Sequence, residues 1–277
     1  MSSALPEGGL GAEVDLGKRA KFLLLVGFVI GFVSSMCGIG GGLFAVPLLH
    51  FAFKLHLRRA VATGLCLVFA TTLASTLTEI GTSMLGGESA IRWPLVGCLA
   101  IGALVGAQLG YPVSKRFDTR QLRGIFSIVI AIVAVRILTA DGGGGGLEAA
   151  PSLSNYAYAA VAGFFGGFVS PILGIGGGLV MVPALLLGPS ALGFAGARAC
   201  ALAAAVVTSG RSLSLYWKER SIHVKAAPLL GGGAFAGAIA GVNAVHMEGV
   251  IDIAKTMLGF VLVFVSVRFA LAYLKGK

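Results

Sequence analysis

The sequence predicts an all-α polytopic membrane protein built from two inverted structural repeats, each a glycine-broken hairpin followed by three transmembrane helices. Three observations lead there. Of 277 residues, 57% are hydrophobic and only 12% charged, with mean hydropathy +0.94; soluble domains carry about 25% charged residues. A stretch of the first half recurs in the second. Lys and Arg alternate between clusters and gaps along the chain. The net charge of +10 falls in short clusters between apolar runs, with no basic stripe interleaved with aromatics. That pattern points to a lipid bilayer and away from nucleic acid.

Residues 1–20 read as a polar, glycine-rich disordered leader. Lys18, Arg19 and Lys21 then precede an apolar run, as in a signal peptide. No small-x-small cleavage site closes that run, so it reads as a retained membrane segment. Apolar spans follow at 22–53, 60–83, 93–112 and 120–139. The segment "TADGGGGGLEAAPS" supplies a flexible linker over 140–153. Four more spans occupy 155–187, 197–217, 226–245 and 250–273. The membrane repeats are thus 21–139 and 154–277.

Shifted by 136 residues, "GFVSSMCGIGGGLFAVPLL" (Gly31–Leu49) lies on "GFVSPILGIGGGLVMVPAL" (Gly167–Leu185), and Arg59-Ala60 falls near Arg198-Ala199. Basic clusters stand at Lys18/Arg19/Lys21, Lys54/Arg58/Arg59, Lys115/Arg116/Arg120/Arg123, Lys218/Arg220/Lys225 and Lys275/Lys277. Connections 84–91, 140–154, 188–197 and 246–249 are poor in basic residues. The positive-inside rule makes the clusters and both termini cytoplasmic, in a cell inner (plasma) membrane. Segment 22–53 then starts and ends inside, and 155–187 starts and ends outside. Each must enter and return, with the glycine motif as the turn. An ordinary crossing needs about 20 residues, so the arms are expected to be short spans or re-entrant. Three further crossings per half invert the second copy relative to the first.

The turns are the candidate substrate site: Gly38, Gly40, Gly41 and Gly42 in one, Gly174, Gly176, Gly177 and Gly178 in the other. Glycine permits positive φ and leaves backbone N–H groups bare. A helix starting near Leu43 or Leu179 aims unpaired N–H groups and its positive end at the turn, a setting that binds anions. Close helix packing is the alternative use of such glycines. A dinucleotide fingerprint is excluded, because no βαβ unit surrounds the motif.

Polar groups inside the spans extend the site. Arg211 sits among Thr208, Ser209, Ser212 and Ser214, and the first half has Thr71 in the corresponding stretch. A guanidinium beside hydroxyls suits an oxyanion, and a snorkelling head group is the other reading. Ser34 and Ser170 precede the turns at equal spacing, to donate to an anion or to bond back to their helix. Glu79 is either a proton-coupling carboxylate or an interfacial loop residue. Gln108 and Asn243 are expected to bond between helices, and Arg136 and Arg268 to snorkel. Cys37, Cys66, Cys98 and Cys200 form no CxxC pair, and the four His are scattered, so no metal or cofactor is expected.

The "GxxS…GIGGGxxxVPxL" motif in both halves, followed by "RAVATGLCLVFATTLAS" (Arg59–Ser75) and "ARACALAAAVVTSGRSLS" (Ala197–Ser214), resembles the sulfite exporter (TauE/SafE) family. The resemblance implies a permease, an exporter of small sulfur-containing or organic anions such as sulfite or sulfonates. The chain departs from the pattern at Pro171, where the first half has Ser35, and at Thr63-Gly64 and Leu202-Ala203, where a Thr-Ser pair is usual. Two other classes stay open: a membrane scaffold that transports nothing, and an intramembrane serine hydrolase using Ser209 with His223. Oligomeric state is not encoded in any feature read here.

Overall fold

The computed structural model describes residues 16–53, 55–86, 90–116, 131, 134, 135, 152–188, 192–219, 226–247 and 249–274. The predicted span 120–139 and nearly all of the linker lie outside it, apart from residues 131, 134 and 135, which are helical; His223 also lies outside. The described residues form nine α-helices and no strand. They are α1 (Leu16–Cys37), α2 (Gly42–Pro47), α3 (Leu57–Met84), α4 (Trp93–Arg116), α5 (Leu153–Leu173), α6 (Gly178–Leu187), α7 (Phe194–Trp217), α8 (Ala227–Val245) and α9 (Val250–Leu274). Seven are long and apolar enough to cross a membrane.

Both GIGGGL motifs break the helix. Positive φ occurs at Gly38, Gly40 and Gly41, and again at Gly174, Gly176 and Gly177, with angles that agree within 5° between the turns. The second turn is a reversal: Tyr158 Oη donates to the Ala184 carbonyl, and Gly166 packs on Met181, so α6 runs back along α5. One expectation needs correction. The arms are unequal, because α1 has 22 residues and α5 has 21, whereas α6 has 10 and α2 only 6. The first arm can cross by itself, since 22 residues rise about 33 Å; only the return arm is short. Helix α1 also begins at Leu16, within the stretch read as leader. Pro47 removes one backbone donor from α2, and the chain passes into a π-helical turn at Leu48–Ala52. Pro183 occupies the matching place in α6, which continues as α-helix to Leu187.

Glycine stripes set the long-helix packing. On α4, Gly102, Gly106 and Gly110 lie against the carbonyls of Ala160, Phe164 and Phe168 of α5. On α8, Gly233, Gly237 and Gly241 lie against the carbonyls of Leu24, Phe28 and Phe32 of α1. Each glycine lets two backbones approach where a Cβ would stand 2.0–2.5 Å from a carbonyl oxygen. Residue numbers rise together in both pairs, so α4 and α5 are parallel, and so are α1 and α8. Each half therefore lends its first helix to the other half's third span. Helices α3 and α7 form the centre and run antiparallel: Gly210 lies by Phe69, and Arg198 meets Glu79. The exposed residues Gln108 and Asn243 are on outer faces, away from the interhelical role expected of them. All four cysteines are free thiols.

Candidate functional site

The two turns meet at the middle of the α3/α7 pair. Gly42, the first residue of α2, abuts the Gly174 carbonyl, and Gly178, the first residue of α6, abuts the Gly38 carbonyl. A Cβ added there would stand 1.9 Å and 2.5 Å from those oxygens. Each short helix thus points its positive end at a carbonyl of the opposite turn. Inside each short helix, the Gly41 carbonyl accepts from Phe44 and Ala45, and that of Gly177 from Val180 and Met181.

Side chains of α3 and α7 close around the turns. Thr72 and Val68 flank Gly40; Val68 and Ser209 flank Gly176. Ser34, Thr71, Ser170, Thr208 and Ser209 are all fully buried. Thr71, Thr208 and Ser209 donate to the carbonyls of Leu67, Ala204 and Ala205, which is the helix back-bonding reading. Ser170 and Ser212 share a hydroxyl contact of 3.2 Å. The Ser34 hydroxyl, beside Gly41, has no partner among the described residues. The turns are in contact at Gly42 and Gly178. An apolar groove of about 770 Å³ lies elsewhere, lined by Phe44, Ile253, Met257, Phe260 and Phe264.

Arg211 is less buried than its neighbours. Thr208, Ser209 and Ser212 are fully buried, whereas Arg211 is half-buried with its Nε buried and without a partner among the described residues, and Ser214 donates to its carbonyl. The cation at the turns is Arg198, which composition alone did not single out. Its side chain is fully buried and crosses the Gly38 apex. Nη1 donates to the Ser35 carbonyl at 3.1 Å, near the C-terminal end of α1, and Nη2 pairs with Glu79. Glu79 Oε2 also meets His246 Nε2 at 3.2 Å. Glu79 stands five residues before the end of α3 and is buried, so it is a helical carboxylate and not a loop residue.

A second ionic cluster closes the other end. Glu219, just past α7, pairs with Arg58 at 2.5 Å and with Lys115, whose ammonium lies 4.4 Å from the Tyr111 ring centroid. The two clusters have the same construction. In each, a Glu at the end of one central helix meets an Arg at the start of the other and a basic residue at the end of α4 or α8. Burial opposes ionisation of Glu219, but donation from Lys115 and Tyr111 and the charge of Arg58 hold its carboxyl below the usual range. The stabilisation from a lowered carboxyl is present above the unfolded value of about 4.3 and is lost as pH falls through the folded one. For this partly exposed cluster it is worth about 1 kcal/mol or less. Thermal melts of wild type and Glu219→Gln should therefore differ at pH 7 and converge near pH 3.

The family model described as "Sulfite exporter TauE/SafE" matches residues 6–137 and 159–277. The chain belongs to the sulfite exporter TauE/SafE family. Within it, the chain is 28% identical over 171 residues to the "Probable membrane transporter protein MJ0441" of Methanocaldococcus jannaschii, covering 60% of this chain and 61% of that one. It is 29% identical over 120 residues to the "Probable membrane transporter protein YunE" of Bacillus subtilis, covering 43% and 42%. It is 30% identical over 140 residues to the "Probable membrane transporter protein MamO" of Magnetospirillum gryphiswaldense, covering 49% and 20%. These matches span between a fifth and about three fifths of the relatives' own lengths. No solved structure matches the chain. Both GIGGGL turns of this TauE/SafE chain fall inside the matched residues.

Proposed function

We propose that this TauE/SafE chain is a secondary transporter that exports small sulfur-containing or organic anions, such as sulfite or sulfonates, across the cell inner membrane. Its halves are mounted in opposite orientations and move by alternating access around the two glycine turns. The observation that carries the reading is the meeting of these turns at a buried cation, Arg198, between ionic clusters at the two ends of α3 and α7. Closure at both ends describes an occluded carrier. Opening the Glu219 cluster would admit solute from the basic side, and opening the Glu79 cluster would release it on the other. Antiparallel packing of the repeat mates α3 and α7 supports the inverted mounting.

An anion entering the centre replaces the carbonyls that now face the helix starts and adds to the N–H donors of Arg198. The Ser34 hydroxyl, without a partner, is a further donor. Outward movement gains about 2.3 kcal/mol per 100 mV from an inside-negative potential for each net negative charge carried. A thermal-shift screen of sulfite, sulfate, thiosulfate and small sulfonates tests the site. The anion-dependent shift should survive Arg211→Ala and disappear in Arg198→Lys, which keeps charge but loses the planar fork. The opposite pattern would return the site to Arg211. A scaffold would show no shift with any of these anions. Ser209 has its hydroxyl engaged by the Ala205 carbonyl, which disfavours its use as a nucleophile.

A further inference from the structure

The cluster of Glu79, Arg198 and His246 joins three properties that the transport reading has not used. Glu79 is a buried carboxylate whose two oxygens are divided between two cationic groups, Arg198 on one and His246 on the other. Arg198 has Nη1 on the Ser35 carbonyl, Nη2 on Glu79, and a buried Nε with no partner among the described residues. His246 caps α8 with its side chain one third exposed, so it links the buried carboxylate to the aqueous face.

We propose that this cluster is a combined proton and oxyanion site, and that the chain carries one proton with each anion. The inference rests on the transporter reading. A guanidinium does not deprotonate in proteins, so the Glu79 carboxylate and the His246 imidazole are the groups of the cluster that can take up a proton. While Glu79 is ionised it occupies Arg198 and repels a second anion. Once Glu79 is protonated, Arg198 is a buried cation without a countercharge, a state that favours binding of an oxyanion. Proton and anion therefore promote each other's binding by the same factor.

The proton route is short. On the release side the proton of the neutral Glu79 carboxyl passes from Oε2 to the neutral His246 Nε2, the imidazolium gives a proton to solvent, and an ionised carboxylate and a neutral imidazole remain. No other bond changes, and the carboxylate retakes the place at Arg198 that the departing anion leaves. The groups around the cluster come from every neighbouring element: Cys37 at the end of α1, Cys200 on α7, and Arg92 ahead of α4, whose backbone N–H donates to the Cys200 sulfur. The cluster at the other end has Lys115 in the position of His246. No imidazole stands beside Glu219 among the described residues of that cluster, so that end lacks a comparable relay.

The test uses the full chain in liposomes with a trapped pH-sensitive dye and an imposed sulfite gradient. Sulfite's own protonation is common to all variants and cancels between them. Wild type should move one more proton per sulfite than Glu79→Gln, and the pH dependence of sulfite movement seen in wild type should be lost in Glu79→Gln. His246→Gln should keep the wild-type proton count with net transport slowed tenfold or more. Equal proton counts in wild type and Glu79→Gln would overturn the coupling and leave the transporter reading standing. If Glu79→Gln does not fold, His246→Gln decides: an unchanged rate of net transport overturns the proposal. Wild type that moves no sulfite sinks the transporter reading and the coupling together.

Discussion

Gly42→Ala should abolish monodisperse, folded protein, or lower its melting temperature more than any other single methyl added to the chain. The new Cβ would meet the Gly174 carbonyl oxygen at 1.9 Å and the Ile175 Cα at 2.7 Å, both backbone atoms of a turn that is itself packed on α3. Neither can shift without moving the second hairpin. Gly176→Ala adds a different strain, since φ is +78° there and Val68 Cγ1 stands 2.2 Å from the new atom. Gly81→Ala is the control. It lies within α3 with nothing within 4 Å of an added Cβ, so it should gain up to about 1 kcal/mol from helix propensity. Size-exclusion profiles and thermal melts in detergent compare all three. Equal stability of Gly42→Ala and Gly81→Ala would mean that the turns do not touch.

Glu79→Ala should be the most destabilising removal of a charge. It leaves Arg198 fully buried with a carbonyl as its only strong partner. Breaking a buried pair on one side costs about 3–5 kcal/mol, whereas replacing both partners by apolar groups can be close to neutral. The double variant Glu79→Leu with Arg198→Met should therefore melt well above Glu79→Ala. A double variant as unstable as the single one would show that the pair is not what holds α3 to α7 at this end. The same pair in reversed order, Glu79→Arg with Arg198→Glu, is a weaker restorer, because the Ser35 carbonyl would then face a carboxylate.

Much of the architecture was legible in the sequence, for identifiable reasons. A repeated four-glycine motif inside an apolar run pointed to a break, with close packing as the alternative, and the alternation of basic clusters favoured a reversal at it. Helix limits followed from Pro, Gly and charge, within six residues at most. The unequal arms were not legible, because hydropathy merges a long helix, a turn and a short helix into one span. The site was partly legible. Ser34 and Ser170 beside the turns were visible from spacing, and Arg211 was read from the run of hydroxyls around it, whereas its partial burial beside the fully buried 208, 209 and 212 depends on what α7 packs against. Arg198 and His246 lie 119 and 167 residues from Glu79, and only the packing of α7 and α8 against α3 brings the three together. One signal was present: Arg198 is a lone cation beside a connection otherwise poor in basic residues, which calls for a buried acid.

The central claim is that two opposed hairpins cross at glycine turns to carry an anion through the bilayer. Labelled sulfite in liposomes containing the purified chain, under an imposed membrane potential, tests it most directly. The predicted result is saturable movement that follows the sign of the potential, persists in Gly81→Ala and is absent in Arg198→Lys. Folded wild-type protein that moves neither sulfite nor any tested sulfonate at any potential would contradict it.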